Sequence, residues 1–326
     1  WQCGYDRTDI LRADRAPGYS EARAEDADGS DRPLEHPLVL LAAIDAVADR
    51  SAEKIRANAQ ANTDLLNLAL APYNELIAEA EAESMVSRNG ILQVYESDVS
   101  FNNSAREREL MQACGHKIDI LPGEEIRQME PAFGIDFKHA VYIENHAMIR
   151  HPGDLTKRFA GLFEEKGGTF LQEQVTGLGK DGATWSVSTD KGAHAADRVI
   201  VAAGAWSRQI ARMLGKRMLL DAERGYHVML PQPEPTLRRP VLLGDHSVFL
   251  LPMEHGLRVT SGVELGGVEL PPDYRRIRAM IPFAKRVLPQ LDPREMSNWM
   301  GFRPSTPDTR PILGEMAGAE GVYFAS

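Results

Sequence analysis

The sequence predicts an α/β chain in which a layer of alternating helix and strand joins a strand-rich part. Three observations carry this. Helix and strand patterns alternate from Pro152 to Leu214. Arg198 to Ala202 is an apolar strand that ends in small residues and turns at once into a helix. From Gly225 to Ser261 strand patterns follow one another, separated by turn residues.

The elements follow in order. Trp1 to His36 mixes acidic, basic, Gly and Ser residues without a period, so an irregular or disordered start is expected over 1–36. His36 to Ser87 reads as helical, with good helix formers from Ser51 and a cluster at Leu65, Leu66, Leu68 and Leu70. Pro72 is expected to break or kink it. A second helix, Tyr73 to Ser87, should end at Asn89-Gly90 in a left-handed cap. Ile91 to Tyr95 reads as a strand and Ser104 to Cys114 as a helix stopped by Gly115. Leu155, Phe159, Leu162 and Phe163 fall on one helical face, and Gly167-Gly168 ends that helix. Strands are expected at Thr169–Val175, Trp185–Thr189 and Arg198–Ala202, then a helix from Trp206 to Leu214. Tyr226–Leu230, Val248–Leu251 and Leu257–Ser261 read as strands, Tyr274–Val287 as one helix, and Glu295–Phe302 as a strand leading into a Pro-rich loop.

Composition narrows the function. The 326 residues carry a formal net charge of -10 and no dense run of Lys and Arg, which argues against a nucleic-acid surface. No apolar run approaches the roughly 18 residues that span a bilayer. Two cysteines, Cys3 and Cys114, make neither a disulfide framework nor a zinc cluster. His146 and His151 flank Met148 without a carboxylate at a matching spacing, so no metal is assigned. Gly177-Leu178-Gly179-Lys180-Asp181-Gly182 has the spacing of a dinucleotide fingerprint, but an alternating strand follows it rather than a helix. A hairpin is the preferred reading.

Two motifs point to chemistry. Val199-Ile200-Val201-Ala202-Ala203-Gly204-Ala205-Trp206-Ser207 puts small residues at the end of a strand, where a planar ligand can approach the backbone. Ordinary strand–helix packing favours the same residues. Gly301 to Gly314 places Arg303 among Pro304, Pro307 and Pro311, a stiff loop that would hold a guanidinium ready to fork onto a carboxylate. A surface arginine in a Pro-rich turn is the plainer alternative.

Together these motifs resemble the FAD-dependent amino-acid oxidoreductases of the D-amino-acid oxidase class, which includes glycine oxidase, sarcosine oxidase and the bacterial D-amino-acid dehydrogenases. The likeness runs from Asn89 to Ser326. It takes in Glu124-Glu125, Glu130-Pro131, Pro152 to Leu155, Gly167-Gly168, Val175, Ala202 to Ser207, Arg224 to His227, Gly262 to Glu264 and Trp299 to Gly314. The long helical insert and the Gly225-Tyr226 strand look most like the dehydrogenases. The resemblance implies a Rossmann-like FAD-binding domain and an antiparallel-sheet substrate domain. The expected division is 37–145 and 216–299 for the substrate domain, and 146–215 and 300–326 for the FAD-binding domain. The family's opening glycine-rich unit and its closing Gly-rich segment find no match here, so an incomplete FAD domain and a truncated chain are expected.

The resemblance also implies roles. Val175 would meet the adenine side of FAD through its backbone. Ala202, Ala203, Gly204 and Gly301 would let the cofactor pass close, with Trp206 packed beside it. Arg303 would grip the substrate carboxylate, and Tyr226 and Phe249 would face the substrate cavity. Phe249 stands where glycine oxidase has a Tyr, so Tyr226 is the candidate to supply a hydroxyl. The implied reaction is hydride transfer from the α-carbon of a D-amino acid to flavin, giving an imino acid that hydrolyses to a keto acid. A secondary-amine substrate of the sarcosine or hydroxyproline type, or an inactive remnant acting as a binding domain, are the alternatives. The electron acceptor could be oxygen, a quinone or a carrier protein. The expected location is cytoplasmic, or peripheral at the inner face of the cytoplasmic membrane.

Overall fold

The computed structural model describes residues 52–326. The expected irregular start over 1–36, the helical approach from His36 and Cys3 lie outside the described residues.

Helix α1 (Ala52–Glu79) runs on through Pro72. The break expected there does not occur. Pro72 leaves the Leu68 carbonyl without its helical donor, and Leu68 is 75% exposed, so water can bond that oxygen. Nor does a second helix reach Ser87. Glu81 turns the chain at φ 53, and the short β1 (Val86–Ser87) follows. Asn89-Gly90 therefore turns β1 into β2 (Ile91–Tyr95) rather than capping a helix. Gly90 sits at φ 69, and a Cβ there would lie 2.8 Å from the Ile143 carbonyl oxygen.

Helix α2 (Asp98–Asn103) is capped by the Ser97 hydroxyl, which accepts from the Ser100 N–H at 3.1 Å. Then come α3 (Ala105–Ala113), β3 (Asp119–Pro122), α4 (Gly123–Met129), β4 (His139–Ile143) and β5 (Met148–Ile149). Helix α5 (Pro152–Glu165) buries Leu155 and Leu162 against Ile77 at the end of α1. The strand expected over Thr169–Val175 forms no ladder, and strand β6 only begins at Val175 (Val175–Asp181). Phe170 and Leu171 are 63% and 49% exposed, with no strand beside them among the described residues. Strands β7 (Thr184–Thr189), β8 (Ala193–Ala196) and β9 (Val199–Val201) follow, then a 3-10 turn at Gly204–Trp206 and α6 (Ser207–Met213).

The strand-rich part comprises β10 (Asp221–Leu230), β11 (Val241–Leu243), β12 (Val248–Met253) and β13 (Gly256–Leu265). The single helix expected over Tyr274–Val287 is two, α7 (Arg275–Arg278) and α8 (Ile281–Val287). Pro282 stands in the first turn of α8, where its missing N–H costs no helical bond, and this starts a new helix instead of extending the old one. Strand β14 (Ser297–Ser305) extends past Phe302 and takes in Arg303, which lies in a strand and not in a Pro-rich loop. It also crosses the expected boundary at residue 300. Strands β15 (Leu313–Glu315) and β16 (Val322–Ala325) complete the described chain.

An eight-stranded sheet in the order β14-β10-β13-β12-β11-β2-β4-β3 is the frame, antiparallel at every pairing except β11 with β2. Its residues alternate between two faces. Val228, Leu230, Leu250, Val259, Leu92 and Val94 point to one face, where α7 and α8 add Ile277, Val287 and Leu288 to the main core. The other face is half open. In a second sheet β9 pairs in parallel with β16, itself antiparallel to β15. A meander of β6, β7 and β8 packs beside it around Trp185, Val201, Ala211 and Phe324.

Candidate active site

The open face of the large sheet is set by strand register. On β14 the residues of one parity are Trp299, Gly301 and Arg303. Opposite them on β10 stand His227, Gly225 and Glu223. The row through His227 continues to Thr260 on β13 and Phe249 on β12. Phe249 and Arg303 therefore share a face, with Trp299, His227 and Thr260 between them.

Two glycines opposite one another leave a patch of bare backbone, and neighbouring side chains fold over it. A Cβ on Gly225 would lie 2.9 Å from an Arg303 guanidinium nitrogen and 3.1 Å from its central carbon. A Cβ on Gly301 would run into the Trp299 indole. That indole also stacks on the His227 imidazole, with centroids 5.1 Å apart and planes at 26°. Trp299 is 54% exposed. Burial pulls the His227 imidazole down to about 4, and the positive charge of Arg258 pushes it the same way. His227 is thus neutral at pH 7 and can accept or donate one hydrogen bond.

Tyr226 does not belong to this face. It stands opposite Met300, one residue out of step with Gly225 and Gly301, and packs in the main core. Its hydroxyl donates to the Glu264 carboxylate and accepts from the Asp273 N–H at 3.3 Å. The fully buried Arg224 lies on the same side. It donates to the carbonyls of Gly267 and Pro271 at 2.7 and 3.1 Å and to that of Leu270, and sits 3.6 Å from Glu264. Arg224, Tyr226 and Glu264 brace β10 from behind, and Gly225 between them is fixed in place. The expectation that Tyr226 supplies a hydroxyl to the cavity is corrected by strand parity.

The remaining expected positions lie in other elements. Val175 opens β6 opposite Thr189, in the small meander. Ala202, Ala203 and Gly204 follow β9, with Gly204 at φ 54. Trp206, at the end of that turn, packs edge-on against Phe302 at 5.3 Å. This contact brings the β9 turn to the strand that carries Gly301 and Arg303. Gly177 to Gly182 forms the β6–β7 hairpin, with Gly182 at φ 60. Sequence reasoning missed His227, Trp299, Thr260 and Arg258. Stepping by two from Arg303 would have found Trp299, but the others depend on register between distant strands. It also found no carboxylate partner for His151. Asp154 and His255 lie beside it, with one donor atom from each of the three within 4.8 Å of the others. His151 Nδ1 accepts from the Asp154 N–H at 3.0 Å and so caps α5.

The family described as FAD dependent oxidoreductase matches residues 27–326, and the chain belongs to it. It is 30% identical over 278 residues to a D-amino-acid oxidase of Bradyrhizobium diazoefficiens, covering 83% of this chain and 66% of that protein. It is 29% identical to a D-amino acid dehydrogenase of Paramagnetospirillum magneticum, over 79% of this chain and 64% of the relative. The chain thus spans just under two thirds of each. Among solved structures, glycine oxidase from Geobacillus kaustophilus superposes with a TM-score of 0.69 at 22% identity, covering 81% of this chain and 72% of that one, which establishes the shared fold. Among the described residues no helix is long and apolar enough to cross a membrane.

Proposed function

We propose that this chain oxidises the C–N bond of a small amino acid, with the α-carboxylate held by Arg303 on the open face of the large sheet. The supporting observation is the guanidinium of Arg303 lying over the bare Gly225–Gly301 backbone, beside Trp299 and a neutral His227.

The paired glycines let the Arg303 guanidinium and the Trp299 indole lie close against the sheet. The small residues Ala202, Ala203 and Gly204 after β9, with Trp206 at the end of that turn and Gly301 on the facing strand, are assigned to the isoalloxazine end of FAD, and Val175 to the adenine side. The described residues form no glycine-rich strand-to-helix turn for the diphosphate. When bound, FAD would supply the two-electron acceptor for the hydride that leaves the α-carbon, the nitrogen losing a proton.

The chain's own residues orient the substrate and keep water away. Arg303 offers two parallel N–H donors to the carboxylate, which fixes the α-carbon relative to the sheet. Phe249 adds no hydroxyl and Tyr226 is engaged behind the sheet, so the grip rests on Arg303. Trp299 and Phe249 line the face with apolar surface. His227 carries no charge at pH 7 and does not repel an incoming ammonium. The oxidised substrate is an imino acid, which water converts to a keto acid and ammonia. A D-amino acid is the proposed substrate class.

A charge-assisted hydrogen bond contributes about 1.5–3 kcal/mol. Arg303→Ala should therefore raise KM roughly ten- to a hundredfold, with Arg303→Lys intermediate. Steady-state kinetics on a panel of D-amino acids checks this. An unchanged KM in Arg303→Ala would remove Arg303 from the reading.

A further inference from the structure

Arg258 stands on the same open face as Arg303. On β13 it faces Met229 on one side and Leu251 on the other, and its parity matches Thr260, in the row of His227 and Trp299. Its Nε is buried without a hydrogen-bond partner. Burial alone draws its charge state down, and no carboxylate offsets that.

Other arginines that lose water in or beside this sheet are treated differently. Arg224 meets three carbonyls and Glu264. Arg239 meets the fully buried Glu130 at 2.7 Å. Arg258 is half-buried, and a guanidinium whose Nε is cut off from water without such a partner is destabilising unless an anion reaches the group. The apolar neighbours Met229, Leu251 and Phe249 cannot supply one.

The spacing suits a particular anion. The Arg303 guanidinium already lies over Gly225. The Arg258 charge acts on His227, the next residue of that parity along β10. One pleat repeat separates those two positions, about 7 Å. Two guanidinium groups based on one face and reaching toward neighbouring positions can each take one carboxylate of a short dicarboxylic amino acid, since each ion pair adds its own contact distance to the span of the substrate.

We propose that Arg258 is a specificity-determining residue that binds a second, side-chain carboxylate of the substrate, so that this chain prefers a dicarboxylic amino acid over a neutral one. The proposal rests on the reading that Arg303 holds the α-carboxylate.

Two measurements test it. Titration of intrinsic tryptophan fluorescence with succinate and with acetate reads binding without turnover, and Trp299→Phe identifies the responding ring. Succinate should bind at least tenfold more tightly than acetate, and Arg258→Met should erase that difference while Arg258→Lys keeps part of it. In turnover, the ratio of kcat/KM for D-aspartate to that for D-alanine should fall about ten- to a hundredfold in Arg258→Met, a variant that retains apolar bulk at the site. Equal binding of succinate and acetate by the parent chain, or a ratio that Arg258→Met leaves unchanged, overturns the proposal while leaving Arg303 in place. Loss of the succinate preference in Arg303→Ala but not in Arg258→Met also overturns it. Failure of both acids to bind, with no D-amino acid oxidised, overturns the underlying reading as well.

Discussion

Arg303, Gly225 and Gly301 depend on one another at the level of single atoms. The guanidinium reaches over Gly225 because hydrogen is the only side chain there, and the Trp299 indole covers Gly301 for the same reason. Gly301→Ala would place a methyl where the indole lies and force the ring out. The expected outcome is a red-shifted, more quenchable Trp299 emission and a KM raised several-fold or more, since misplacing substrate by about 1 Å can cost a hundredfold. Fluorescence and steady-state kinetics on the same preparation check it. Gly225→Ala meets the far end of a flexible side chain, which can move aside, and its effect should be milder.

At the scale of elements, local signals were legible and pairings were not. The helix of Leu155 and Leu162 and the apolar strand before Gly204 could be read from periodicity and small residues alone. So could the Gly177–Gly182 hairpin, since alternating Trp185 and Val187 excluded a helix. Pro72 misled because the penalty for a helical proline falls when the freed carbonyl faces water, and exposure is not written in the local sequence. Thr169–Val175 misled because a strand needs a neighbour, which no local pattern supplies. Tyr226 misled for the same reason: its facing depends on the register of β10 against β14. The Asn89-Gly90 turn gives an element-scale prediction. Gly90 combines φ 69 with close approach of the Ile143 carbonyl and the Tyr142 ring. Gly90→Ala should destabilise the chain by about 1–3 kcal/mol, read as a lower urea midpoint at an unchanged slope.

Across the whole molecule, one sheet divides its labour between two faces. One is a dry core under α7 and α8, and the other is a half-open surface with cations, an imidazole and aromatics. That asymmetry reaches global stability through His227. Its folded value of about 4 lies below the ordinary 6.5. Below pH 6.5 the unfolded chain takes up a proton that the folded chain refuses. The contribution is complete above pH 6.5 and is lost as pH falls toward 4. Urea midpoints at pH 7 and pH 4.5 should therefore drop more in the parent than in His227→Gln, and the difference between the two chains isolates this residue from the carboxylates. Equal drops would show that His227 titrates normally.

Strand β14 is the outermost strand of its sheet, joined to it by β10 alone. A shift of one position along that seam would swing Arg303 from the open side to the helical side and send Phe302 the other way. Under the role proposed for Arg303, substrate capture would in that sense be all-or-none with respect to chain length. Point changes in β14 should tune affinity by degrees, whereas inserting or deleting one residue between Leu291 and Ser297 invites a slip that abolishes it outright.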